Sequence, residues 1–292
     1  MQNIVALMPF VPCEDVTRDV AQWMAYVQAS SRRIGKHVED IIFFSRGVFD
    51  DFVSIRLQLL ENRIPYRCRV RCKGSRPVRY LYRVYLRRTP PIVKAMASQM
   101  TWHGPSFMEG MPAVYLTFDD GPHPVITRQT MDILASFDVP ATFFCVGENV
   151  DRYPDVMEEL RAAGHEIGNH TQSHESGWNT SNFTYLKSYL ACQRTTKALR
   201  FRPPYGRITR SQADALMDKT NIVMWDVLSA DFDVKKTPED CFDHLMVNTR
   251  PGAIVVFHDS ERAAPRLLPI LRPYLEWLHS EGYRCHLLPS AG

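Results

Sequence analysis

Val114-Tyr115-Leu116-Thr117-Phe118-Asp119-Asp120-Gly121-Pro122 reads as an apolar strand that ends on two carboxylates and a Gly-Pro turn. After it, short apolar runs alternate with helical stretches. Strands are expected over 113–118, 141–146, 166–169, 222–225, 253–257 and 284–288. Helices are expected near 126–137, 153–163, 183–199, 208–219, 238–248 and 264–280. Such alternation implies parallel strands joined by crossover helices. A small barrel and an open doubly wound sheet both fit this length. In either, functional groups gather at the carboxyl ends of the strands. The polar residues of this chain fall at those ends: Asp119 and Asp120 after the first strand, His170 after the third, Asp231 soon after the fourth, and His258 after the fifth.

Two adjacent aspartates point in different directions, so Asp119 and Asp120 are not a pair sharing one proton. One can face a metal while the other faces a water on it. Some fifty positions on, Gly168-Asn169-His170-Thr171-Gln172-Ser173-His174 places two histidines four apart. One helical turn would bring both imidazoles to one side, a recurrent ligand spacing. With Asp120 they make a set of two histidines and one aspartate, with room for water. Phe201-Arg202-Pro203-Pro204-Tyr205-Gly206 is stiffened by its prolines and can present a side chain or a backbone N–H at a set position. An arginine there can hold a carboxylate ionised and oriented. Val256-Phe257-His258-Asp259 sets a histidine at a strand end, where it can act as an acid near neutral pH, paired with Asp231.

The chain has 292 residues, 45% of them hydrophobic and 23% charged, a globular balance. The net charge of +3 hides an asymmetry. Residues 1–110 carry 17 basic and 9 acidic side chains, and residues 111–292 carry 18 and 23. A boundary near residue 110 follows. We expect a helical N-terminal extension over 1–62, a basic linker over 63–110 and a catalytic domain over 111–292. The stretch 63–94 holds eleven Arg and Lys and no acid, with Tyr66, Tyr80, Tyr82 and Tyr85 among them. It reads as a solvated linker or as a contact for a polyanion. No firm nucleic-acid or membrane partner emerges. The seven cysteines are scattered and odd in number, which reads as free thiols rather than a disulfide framework. Residues 1–13 lack the basic start of a signal peptide, and no apolar run approaches the roughly 18 residues of a spanning helix. A cytoplasmic location is the expectation.

Five ordered blocks make the chain resemble the polysaccharide deacetylases, the NodB-like carbohydrate esterases. They are Thr117-Phe118-Asp119-Asp120-Gly121-Pro122, His170-Thr171-Gln172-Ser173-His174, Arg202-Pro203-Pro204-Tyr205-Gly206, Ala230-Asp231-Phe232 and Val256-Phe257-His258. The resemblance covers roughly residues 110–290. It implies an α/β fold, a distorted (β/α) barrel of about seven strands. It implies that Asp120, His170 and His174 bind Zn2+ or another divalent metal such as Co2+, Mn2+ or Ni2+. It makes Asp119 the general base, oriented by Arg202, and the Tyr205 backbone N–H an oxyanion donor. His258 becomes the acid, tuned by Asp231, while Trp225 and Val256 line a pocket for the acetyl methyl. The reaction implied is hydrolysis of N-acetyl groups on the amino sugars of an oligo- or polysaccharide. A non-sugar amide as substrate, or an inactive metal-containing module that binds a glycan or polyanion, are the alternatives. Phe232 stands where the family often has Trp, and Val256 where it often has Leu, which bears on pocket shape. The remaining histidines read as ordinary polar residues, His123 being the nearest to the site because it follows Pro122 in the same loop.

Overall fold

The structure, a computed structural model, describes residues 88–289. The expected extension over 1–62 and most of the basic segment 63–94 lie outside the described residues. The sheet runs in the order β6 (Asn221–Ile222), β5 (Arg200–Phe201), β4 (Glu166–Asn169), β3 (Thr142–Cys145), β2 (Met111–Asp119), β8 (Ile254–His258) and β7 (Val227–Leu228). Every neighbouring pair along this path is parallel. Two further strands lie on the start of β2: β1 (Phe107–Met108) is antiparallel to it and β9 (Arg284–Cys285) parallel. This is the curled seven-strand parallel sheet of a distorted barrel, as expected.

Alternation along the strands separates two apolar layers. On β2, Val114, Leu116 and Phe118 belong to a cluster with Phe143 of β3 and Val255 and Phe257 of β8. Ala113 and Tyr115 point the other way and meet Phe144, Val223 and Ile254 in the barrel interior. A side-chain period of two thus assigns Thr117 and Asp119 to the inner face. Phe118 stacks on Phe143 at 4.9 Å and on Phe257 at 5.5 Å, tying three adjacent strands together. Burying each such side chain is worth about 1.5–3 kcal/mol.

The crossovers are helical. They are α2 (Ile126–Ala135), α3 (Gly147–Arg152), α4 (Pro154–Ala162), α5 (Asn182–Thr196), α6 (Arg210–Leu216), α7 (Pro238–Asn248) and α8 (Ala264–Ser280). Capping boxes at Thr209 with Gln212 and at Thr237 with Asp240 start α6 and α7 by satisfying free backbone N–H groups. Apolar residues of α2, α4, α7 and α8 cover the outer face of the sheet.

Two features depart from the expected elements. The run at 222–225 is not one strand: β6 ends at Ile222, and Trp225 sits in the interval before β7. Strands of two residues, such as β5 and β7, carry no periodicity for a sequence reading to detect. Residues 88–104 also take part in this fold. Helix α1 (Pro91–Met96) and its flanks lie across the interval between the edge strands, with bridges from Thr101 to Val223 and from Arg88 to Val227. Trp102 is buried there, and Lys94 pairs with the buried Asp226, which also takes a 2.7 Å bond from Arg250. Among the described residues no helix is long and apolar enough to cross a membrane.

Candidate active site

The carboxyl ends of β2, β4 and β8 bring the charged motifs to one place. Asp119 ends β2 and stands in register with His258, the last residue of β8. Adjacent strands are about 4.8 Å apart, so these two residues are neighbours. On the other side, His170 directly follows β4, two strands away from Asp119.

Arg202 fixes Asp119. Its guanidinium is fully buried and donates from Nη1 to Asp119 Oδ1 at 2.7 Å and to Thr117 Oγ1 at 2.7 Å. Nε donates to the carbonyl of Val223 at 3.2 Å and Nη2 to that of Met224 at 3.0 Å. The group lies 4.1 Å from the centre of the Phe144 ring. A planar cation with donors spent in four directions cannot rotate, so the carboxylate it holds is fixed too. Burial disfavours the charge on Arg202, while Asp119 supports it.

Asp120 turns away from Asp119 through a left-handed backbone, φ 81°. Its Oδ1 is 3.1 Å from His174 Nε2 and 3.8 Å from His170 Nε2. One ligand atom from each of the three residues lies within 4.8 Å of the others. Ligands about 2.0–2.2 Å from a shared tetrahedral ion stand about 3.4 Å apart, a value these separations bracket. The protonation pattern also suits an ion. His170 Nδ1 lies 2.7 Å from the Arg202 carbonyl, so N–H donates there and Nε2 keeps its lone pair. Burial, aided by His174, pushes the His170 imidazole down to about 4 against the raising fields of Asp119 and Asp120. The ring is therefore neutral at neutral pH. Burial opposes charge on Asp120, yet the bond from His174 and the field of the charged His258 hold its carboxyl well below the usual range.

His258 faces this group with its own partner. Asp231, wholly buried, takes the His258 backbone N–H on Oδ2 at 2.8 Å and lies 2.7 Å from Nδ1 through Oδ1. That fixes the ring and leaves Nε2 at the other end. Burial disfavours the charged imidazole, but Asp231, with help from Asp120 and Asp119, outweighs it and pushes His258 up to about 9. Phe232 meets the ring edge-on at 4.9 Å. Tyr205 is held at φ 62° in the 3-10 turn Pro204–Gly206, with its ring 4.6 Å from that of His174. Val256 lies on the face of β8 that carries His258, and Trp225 packs on Gly206.

A family model for polysaccharide deacetylase matches residues 109–222. A peptidoglycan-N-acetylglucosamine deacetylase of Bacillus cereus is 30% identical over 193 residues, 63% of this chain and 89% of that protein. The chain belongs to the polysaccharide deacetylase family. A chitooligosaccharide deacetylase of Rhizobium leguminosarum is 35% identical over 162 residues, 51% of this chain and 69% of that one. Among solved structures, a peptidoglycan N-acetylglucosamine deacetylase bound to a naphthyl N-hydroxybenzamide superposes with a TM-score of 0.63 at 27% identity. It covers 69% of this chain and 96% of that one. As a member of the family the chain is a hydrolase of carbon–nitrogen bonds other than peptide bonds.

Residues without a role in the sequence motifs also hold this site together. Asp259 Oδ1 accepts the Gly121 N–H at 3.1 Å and its Oδ2 the Thr127 hydroxyl at 2.5 Å, pinning the loop after Asp120. Burial pushes this carboxyl up to about 7. A Cβ on Gly121 would lie 2.2 Å from Asp259 Oδ2, so only glycine fits. Asn149 Nδ2 donates to the Asp120 carbonyl at 2.7 Å, and Asn169 Oδ1 accepts from Thr171 N–H at 2.9 Å. Asp259 follows a motif histidine and was within reach of a motif reading; Asn149 carried no signal. His123, expected near the site, caps α2 through Nδ1 and lies 3.3 Å from Glu261 through Nε2.

Proposed function

We propose that the chain removes N-acetyl groups from the amino sugars of an oligo- or polysaccharide. One observation carries this reading: an Asp–His–His ligand group is flanked by two clamped acid–base residues, Asp119 on Arg202 and His258 on Asp231. Relatives that act on N-acetylated glycans support it, being a peptidoglycan-N-acetylglucosamine deacetylase and chitooligosaccharide deacetylases. Asp120, His170 and His174 would hold zinc, or another divalent ion such as cobalt, manganese or nickel. When bound, such an ion would polarise the acetyl carbonyl and acidify a water.

The remaining steps belong to the side chains. Asp119, with Oδ1 tied to Arg202, takes the proton of the attacking water on Oδ2. The Tyr205 N–H, set by its turn, donates to the carbonyl oxygen as it gains charge. His258 carries a proton at neutral pH and gives it from Nε2 to the leaving sugar nitrogen, a poor leaving group otherwise. Asp231 keeps the ring in the orientation that makes this possible and stabilises its charged form. Val256, Trp225 and Phe232 form an apolar wall against the acetyl methyl.

The test is acetate release from N-acetylglucosamine oligomers by the purified chain, with and without chelator and beside Asp119→Asn. Chelator-sensitive release that is lost in the variant is expected. No release from a chain with one metal bound would turn the reading toward a non-sugar amide or an inactive glycan-binding module.

A further inference from the structure

Four residues beyond His174, the 3-10 turn Gly177–Asn179 holds a tryptophan at the surface. Trp178 is 41% exposed, yet its turn is tied firmly to loop 205–209. The Gly177 N–H donates to the Arg207 carbonyl at 3.0 Å, and Gln212 Nε2 donates to the Gly177 carbonyl at 3.0 Å. Trp178 Nε1 donates to the Ile208 carbonyl at 3.3 Å. A Cβ on Gly177 would lie 2.5 Å from Gln212 Oε1 and 2.6 Å from the Arg207 carbonyl, so glycine lets the two loops close on each other. The Arg207 guanidinium sits over the indole, 5.0 Å from its centre.

A large apolar ring left 41% exposed forgoes part of the burial that would stabilise it. What the arrangement supplies is a flat surface already ordered for a ligand, at little further entropic cost. The surface also continues from the site. Tyr205, half exposed, stands beside His174, and Arg207 follows it by two residues. The chain thus connects the contact of His174 with Tyr205 to that of Arg207 with Trp178 two residues on.

We propose that Trp178, backed by Arg207, is a subsite for a neighbouring sugar of the glycan, so that oligomers long enough to reach it are favoured over shorter substrates. The inference rests on the deacetylase reading of the adjoining site. The C–H face of a pyranose carries positive partial charge and packs on the negative face of an indole. The guanidinium already covers one face of the indole and leaves the other for the sugar. Its stacking on the ring holds both groups in place.

The experiment uses the full zinc-loaded chain with the dimer and the pentamer of N-acetylglucosamine, comparing wild type, Trp178→Ala, Trp178→Phe and Arg207→Ala. The pentamer-over-dimer ratio of kcat/KM is expected to fall about 3- to 10-fold in Trp178→Ala, through KM, with Trp178→Phe keeping most of it. Arg207→Ala gives a smaller fall of the same kind and serves if Trp178→Ala does not fold. An unchanged ratio, or equal losses on both substrates, overturns the subsite. Calorimetric titration of the zinc-loaded Asp119→Asn chain with pentamer separates this from the deacetylase reading. Pentamer binding that weakens when Trp178→Ala is added keeps the subsite even if wild type releases no acetate. No pentamer binding overturns it.

Discussion

Asp119 Oδ1 and Arg202 Nη1 are 2.7 Å apart in a place where the guanidinium has no exposed surface at all. The pair links strand β2 to the segment after β5, and the same guanidinium closes on two backbone carbonyls. A contact buried this deeply serves both the fold and the orientation of the Asp119 carboxylate.

Replacing Arg202 with Ala leaves Asp119 as a buried unpaired charge and strips the Val223 and Met224 carbonyls of donors. A loss of about 3–5 kcal/mol in stability is expected, read as a lower denaturant midpoint. Full stability in this variant would show that water or another cation replaces the guanidinium.

Asp119→Asn keeps the shape of the side chain and removes the proposed base. We expect turnover to fall about 100- to 10,000-fold. Metal content, measured by atomic absorption, should stay at the wild-type level. Loss of metal along with turnover would place Asp119 among the ligands instead.

His258 has a folded-state value near 9, above its ordinary 6.5. As the proposed proton donor it must be charged, so activity is expected to fall as pH rises through its folded value. The charged ring also stabilises the fold. That contribution is complete below about 6.5 and is lost as pH rises through 9. Asp231→Asn removes the largest support of the charge and leaves burial, so the alkaline limb of the rate profile moves down. A cation held by the neighbouring ligands repels the charged ring and shifts the wild-type limb the same way. A limb unmoved in Asp231→Asn would assign the titration to another group.

His174→Ala removes one of the three proposed ligands. Even groups that only orient ligands are worth about 10- to 100-fold in affinity, and losing a ligand should cost at least that. Competition with a chelating dye provides the measurement. Wild-type affinity would mean the ion sits elsewhere.

Gly121→Ala drives a Cβ into the Asp259 carboxylate, 2.2 Å away. The loop carrying Asp120 must shift, at a cost of about 1–3 kcal/mol. A thermal midpoint within experimental error of wild type would show that Asp259 can step aside.

Sequence by itself determined the strand–helix order, because β2, β3, β4 and β8 are long or apolar enough to carry a pattern. It also named the residues that meet at the site, because strand ends, Pro-rich turns and histidine spacing leave local marks. The two-residue strands, and the packing of 88–104 across the edge strands, were decided by tertiary contacts that have no period. So was the histidine geometry: His170 and His174 meet across a loop with left-handed Thr171 and His174, not along a helical turn. Asp120, Tyr205 and Ala230 share that left-handed backbone. Side chains disfavour such conformations by their own sterics, so only the surrounding contacts can hold them. Identity of the groups is written in the chain; their aim is supplied by the packed barrel.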